Sequence, residues 1–190
     1  MEGKAANEES VKMLSGNAPD ILHFATHGFL IDNEERARGN KFFESTVGYS
    51  PKEAYMMWAG LILAGGNNAW LGNFNLKDVE DGILTADEIS RMNLENAKMV
   101  VLSACETGRG RIDPVDGVYG LQRAFKIAGA GTVVMSLWKV QDSATSLLMT
   151  KFYTYLAGGT ERHQALWQAM MDVRKIYRDP YYWAGFVMLD

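Results

Sequence analysis

The stretch that most constrains this chain is Val100-Val101-Leu102-Ser103-Ala104-Cys105-Glu106-Thr107-Gly108. Its apolar start does not alternate with polar residues, the pattern of a parallel strand covered on both faces. A strand is therefore expected from Lys98 to Ala104. It ends in the only cysteine of the chain, followed by a polar, glycine-punctuated segment. A buried strand that stops this way delivers a thiol to the open edge of a sheet. Ile21-Leu22-His23-Phe24-Ala25-Thr26-His27-Gly28 repeats the design with a histidine at its tip. In open α/β sheets ligands sit outside the carboxyl ends of the strands. His27 and Cys105 are thus expected to meet there.

Around these two stretches, strand and helix signals alternate. Helical character from about Ala5 to Leu14 stops at Ser15-Gly16-Asn17-Ala18-Pro19. A strand is expected from Asp20 to about Ala25, and Phe29 to Lys52 reads as a long irregular connection. Trp58 to Ala64 suggests another strand, closed by a turn at Gly65 to Asn68. The stretch on to Gly82 reads as a surface excursion. Thr85-Ala86-Asp87-Glu88 has capping-box spacing and predicts a short helix through Met92. Gly117 to Ala128 carries Val118, Leu121, Phe125 and Ala128 on one helical face. A strand from Ala130 to Trp138, helices over Asp142–Leu156 and Glu161–Tyr177, and a last strand from Trp183 to Leu189 complete the chain. This order predicts a three-layer α/β/α domain with a mainly parallel central sheet.

Composition narrows the function. The chain has 190 residues, 47% of them hydrophobic, with a formal net charge of −4. That length fits one domain with a full core. No block of lysines and arginines offers itself to phosphates, so nucleic acid is not an expected partner. No apolar run approaches the roughly 20 residues a spanning helix needs, so no membrane partner is expected either. A polar N-terminus and a lone cysteine suggest a cytoplasmic protein. Three histidines and one cysteine cannot supply the paired ligands of a structural zinc site, so no metal is expected. No cofactor is expected.

A cysteine becomes a useful nucleophile as the thiolate, and a neighbouring histidine can take its proton and later return it to a leaving amine. The tetrahedral oxyanion then needs preorganised N–H donors. Gly28, beside the histidine, lets backbone approach a substrate closely, and the amide of Cys105 is the natural second donor. His23, on the same strand, is read as a structural residue.

His23-Phe24-Ala25-Thr26-His27-Gly28, Leu102-Ser103-Ala104-Cys105-Glu106-Thr107-Gly108 and Met135-Ser136-Leu137-Trp138-Lys139-Val140 together resemble the CHAT family. So do Gly117 to Gly131 and Tyr182-Trp183-Ala184-Gly185-Phe186. The resemblance runs from Ala5 to Asp190 and implies a caspase-like fold with His27 and Cys105 as a catalytic dyad. It also implies an oxyanion hole from the Gly28 and Cys105 amides. The two dyad residues stand 78 positions apart, against roughly 50 in caspases; the long connections after Phe29 and Gly65 account for the excess. Some relatives in the wider clan place an aspartate two residues before the cysteine to bind a basic P1 side chain, the residue before the cleaved bond. Here that substrate-facing position is Ser103. The separase-like alternative places the acid at Asp142, with Trp138 as a pocket wall. Asp142 also has a plain reading as a helix cap.

The expected activity is a cysteine endopeptidase acting on a protein or peptide through a thioester acyl-enzyme, after a basic P1 residue. The alternative is a catalytically silent caspase-like interaction module. The chain is expected to form one domain over residues 1–190, without the family's first strand and helix. CHAT proteins are often fused behind tetratricopeptide repeats, and no period of about 34 residues marks such repeats here; the resemblance therefore implies a regulatory repeat segment or repeat protein as the partner.

Overall fold

A computed structural model of the chain describes residues 1–30, 56–67, 80–103 and 114–190. The central sheet contains β1 (Ile21–Phe24), β5 (Met99–Leu102), β6 (Thr132–Ser136) and β7 (Phe186–Leu189), in that spatial order. The first three strands run parallel, with Phe24 beside Leu102 and Leu102 beside Met135. The last, β7, returns antiparallel, with Ser136 opposite Phe186. A second, antiparallel sheet holds β2 (His27–Leu30), β3 (Ala59–Ile62) and β4 (Ile83–Thr85).

The apolar run at β5 has the predicted consequence. Val100 and Leu102 face one core, with Leu121 and Phe125 of α3 (Pro114–Ile127) and Ile89 of α2 (Ala86–Ser90). Met99 and Val101 face the other, with Leu148 and Phe152 of α4 (Asp142–Ala157) and Leu166 and Val173 of α5 (Arg162–Ile176). The sheet is thereby sandwiched between helices, a three-layer α/β arrangement with a mainly parallel centre. All four β5 side chains are buried. Burying each contributes about 1.5–3 kcal/mol relative to exposure, so a polar substitution in β5 is costly at every position.

Local chemistry sets the helix boundaries. Asn7 caps α1 (Glu8–Lys12) by accepting from the Ser10 amide at 2.9 Å. Thr85 and Glu88 form the predicted capping box at the start of α2. Glu161 caps α5 by accepting from the Gln164 amide. Gly159, at φ +84°, takes the left-handed turn after α4 that a side chain would strain.

Two expectations are corrected, and one strand is added. Phe29 and Leu30 are not part of an irregular connection; they continue β2, and Phe29 is buried. Ile83 and Leu84, to which the sequence assigns no element, form β4 with Thr85, fully buried. His27 is not the tip of the strand that carries His23. That strand ends at Phe24, and His27 opens β2, paired with Ile62. The physical reason is shared: β2, β3 and β4 pair antiparallel across long sequence separations, and each is only three or four residues long. Gly60 makes this sheet possible, because a Cβ there would lie 2.6 Å from both the Leu84 carbonyl oxygen and the Phe29 ring.

Candidate active site

The site lies where two sheets meet at the carboxyl edge of the parallel one. After β1 the chain crosses through Ala25 and Thr26 into β2. Phe24 O accepts from the Ser103 amide at 3.1 Å, carrying the β1–β5 pairing one residue beyond Leu102. Thr26 Oγ1 donates to Ile62 O and so fastens the crossing to the second sheet. His27, directly after it, is exposed, whereas Gly28 is buried opposite Leu61.

Beside this crossing opens a cavity of about 520 Å³. Its strand-side wall carries His23, His27 and Ser103, and α4 supplies Asp142, Met149 and Tyr153 to the other. Three of the residues singled out from sequence, His27, Ser103 and Asp142, therefore share one cavity. Cys105, two positions beyond Ser103, lies outside the described residues, as does its amide. Trp138 is not among the lining residues: its indole donates to Tyr181 O at 2.9 Å and packs over Gly185 in the C-terminal segment. Asp142 is not the cap of α4. That place belongs to Gln141, and Asp142 is the first helical residue, exposed, where a carboxylate favours the helix dipole.

His23 is the residue that sequence reading left out of the site. It faces the α4 side of the sheet, because Leu22 and Phe24 on either side of it pack into the α2–α3 core. Its Nδ1 lies 3.0 Å from the Tyr153 hydroxyl and its Nε2 lies 2.9 Å from Ser103 Oγ. Burial lowers the pKa of His23 and pushes the Tyr153 phenol up to about 12. At neutral pH both are therefore uncharged, and the cavity wall they form is polar without bearing charge.

Among the described residues, one group has the geometry to hold a metal ion: Glu8, Glu80 and Glu88, whose ligand oxygens lie within 4.8 Å of one another. The Lys12 ammonium sits among them at 2.7, 2.5 and 2.8 Å. It supplies the positive charge that a cation would bring. Among the described residues no helix is long and apolar enough to cross a membrane.

The model of the CHAT domain matches residues 1–190, the whole chain. The chain belongs to the CHAT family. Its sandwiched, mainly parallel sheet fits the caspase-like fold of CHAT domains. Among curated proteins, this CHAT chain is similar to tetratricopeptide repeat protein 28 of Mus musculus, at 36% identity over 109 residues. That alignment covers 56% of the chain and 4% of the relative. The Homo sapiens protein of the same name is 34% identical over 113 residues, covering 58% of the chain and 4% of the relative.

Proposed function

We propose that this CHAT domain is a cysteine endopeptidase in which His27 activates Cys105. The observation that carries the reading is the convergence of His27, Ser103 and Asp142 on one cavity at the carboxyl edge of the sheet. Membership of a peptidase-like family supports it. In the proposed reaction His27 takes the thiol proton and the Cys105 sulfur attacks the scissile carbonyl carbon. The amides of Gly28 and Cys105 receive the oxyanion, each worth about 2.7–4 kcal/mol of transition-state stabilisation. Collapse breaks the C–N bond as His27 returns the proton to the leaving amine, leaving a thioester. Water, deprotonated by His27, then releases the acid and regenerates the thiol.

The cavity beside His27 is the proposed P1 subsite, with Asp142 as the acid that draws a basic side chain. Ser103 adds a hydroxyl at its wall. A tetratricopeptide-repeat segment or protein is the proposed regulatory partner, a reading supported by the names of the relatives. Those names mention repeats and no peptidase, which favours the second reading, a silent interaction module. Incubation with a random peptide mixture and mass spectrometry of the products separates the two. Cleavage after arginine or lysine, abolished in Cys105→Ala, is the expected result. Hydrolysis that survives Cys105→Ala overturns the peptidase reading, and a wild-type chain that cleaves nothing favours the module.

A further inference from the structure

The cavity contains a hydrogen-bonded chain for which the peptidase chemistry has no use. It runs from the Tyr153 hydroxyl to His23 Nδ1 at 3.0 Å, and from His23 Nε2 to Ser103 Oγ at 2.9 Å. It ends at Phe24 O, 3.5 Å from Ser103 Oγ. The His23 and Tyr153 rings sit 5.6 Å apart, inclined by 41°, so the imidazole is held by ring contact as well as by its nitrogens. The backbone carbonyl at one end can only accept. If Ser103 donates to it, Ser103 accepts from Nε2–H, and Nδ1 is left to accept from the phenol. Every proton in the chain then has one place. With these two bonds, the only ones the Ser103 hydroxyl makes among the described residues, it keeps one lone pair, and Ser103 lines the cavity.

We infer that His23 is a specificity-determining residue of this cavity. Tyr153 and Ser103 hold its imidazole in the neutral Nε2–H form, which turns the remaining Ser103 lone pair toward a cationic P1 side chain. Protonation of His23 places a positive charge on the same wall and excludes that side chain. The inference rests on the reading of the cavity as a basic P1 subsite.

The surrounding groups fit this role. The titratable neighbours lining the cavity are His27 from β2, with Asp142 and Tyr153 from α4. Burial disfavours the imidazolium of His23. Tyr153 stays protonated far above neutrality and remains a donor. Among the described lining residues Asp142 is the one carboxylate, and a cation entering beside it meets acceptor oxygens. With His23 protonated, the two charges offset each other.

Coupling of this kind is reciprocal: a P1 cation that lowers the His23 pKa by one unit binds about tenfold more weakly to the protonated form. The test uses two fluorogenic peptides that differ only at P1, arginine in one and its uncharged isostere citrulline in the other. Titration of the dyad acts on both peptides, so the ratio of their kcat/KM values isolates the cavity. Between about pH 8 and 5 the arginine-to-citrulline ratio is expected to fall about tenfold in the wild type. In His23→Gln the ratio stays flat. In Tyr153→Phe, which strips the donor from Nδ1, the fall moves to higher pH.

A ratio that is constant in the wild type while arginine peptides are cleaved overturns this inference alone. A ratio that falls equally in His23→Gln does the same. Cleavage of neither peptide, or cleavage by Cys105→Ala, overturns the peptidase reading and with it this one. Nitrogen-15 NMR of the histidine side chains reads the network without turnover. It should show an Nε2–H tautomer at His23 that titrates below about 6.5, and at higher pH in Tyr153→Phe. An Nδ1–H tautomer, or a titration indifferent to Tyr153→Phe, contradicts the assignment.

Discussion

Replacing Lys12 by methionine keeps the unbranched stem of the side chain and removes the cation among three carboxylates. Lys12 Nζ lies 2.7 Å from Glu8, 2.5 Å from Glu80 and 2.8 Å from Glu88. Glu8 is 2% exposed, whereas Glu80 and Glu88 are 28% and 32% exposed and keep access to water. Leaving a buried charge without its partner costs about 3–5 kcal/mol. One of the three carboxylates is fully buried, and it can escape by taking up a proton. The expected loss at about pH 9, where Glu8 is ionised beside Lys12, is therefore about 2–4 kcal/mol.

The pH dependence follows from Glu8. Burial, partly offset by Lys12, raises its pKa from 4.5 to about 8. A carboxyl raised in this way binds protons more tightly in the folded chain than in the unfolded one. Its contribution to stability is full below the unfolded value and is lost as pH rises through the folded value. Without Lys12 the folded value rises further, so the penalty carried by Glu8 is small below about pH 8 and grows as pH rises above it. Urea unfolding followed by circular dichroism at about pH 9 and pH 6 measures both points, and a constant m-value keeps them comparable. A Lys12→Met chain within about 0.5 kcal/mol of wild type at the higher pH, or equally destabilised at both, would refute the reasoning. The cluster matters for the site because Glu8 also accepts from the Gly82 amide and Glu88 from the Thr85 amide. It thereby ties α1 to the strand that supports β3, and through β3 to β2 and His27.

Two further perturbations probe other links in the account. Thr85→Ala removes the side-chain half of the capping box at α2, and Glu88 then loses its 2.7 Å contact with the hydroxyl. The expected cost is about 1 kcal/mol in the same unfolding assay, with the far-ultraviolet spectrum unchanged. Asp142→Ala should lower kcat/KM about ten- to a hundredfold for peptides with arginine or lysine at P1, from loss of a hydrogen bond to a charged group. Peptides with an uncharged P1 residue should be cleaved as before; an equal loss for both would assign Asp142 a structural role.

Sequence reading reached furthest where one residue type had one physical consequence. The unalternating run at Val100 could only be a strand covered twice, and its side chains do divide between two cores. The Thr85–Glu88 spacing could only cap a helix. It failed where structure depends on distant pairing. Phe29–Leu30 and Ile83–Thr85 are too short to show a period, and they become strands because β3 lies between them. His23 was hidden for a related reason. Strand alternation separates its face from that of Phe24, but its partner Tyr153 is 130 residues away, on a helix whose orientation the sequence does not reveal. Asp142 was legible as a helix-start acid; it lies in the first turn of α4 and on the cavity lining, and its role toward substrate is a proposal.

The central claim is that His27 activates Cys105, and the rate at which Cys105 is alkylated tests it most directly. A peptidyl electrophile with arginine at P1, followed by mass spectrometry of the tryptic peptide containing Cys105, reads stoichiometry and rate together. An unpaired thiol has a pKa of about 8.5 and is mostly unreactive near neutrality. The account predicts one label per chain at Cys105 near pH 7, slowed at least about a hundredfold in His27→Ala. Labelling of equal rate in wild type and His27→Ala would contradict it.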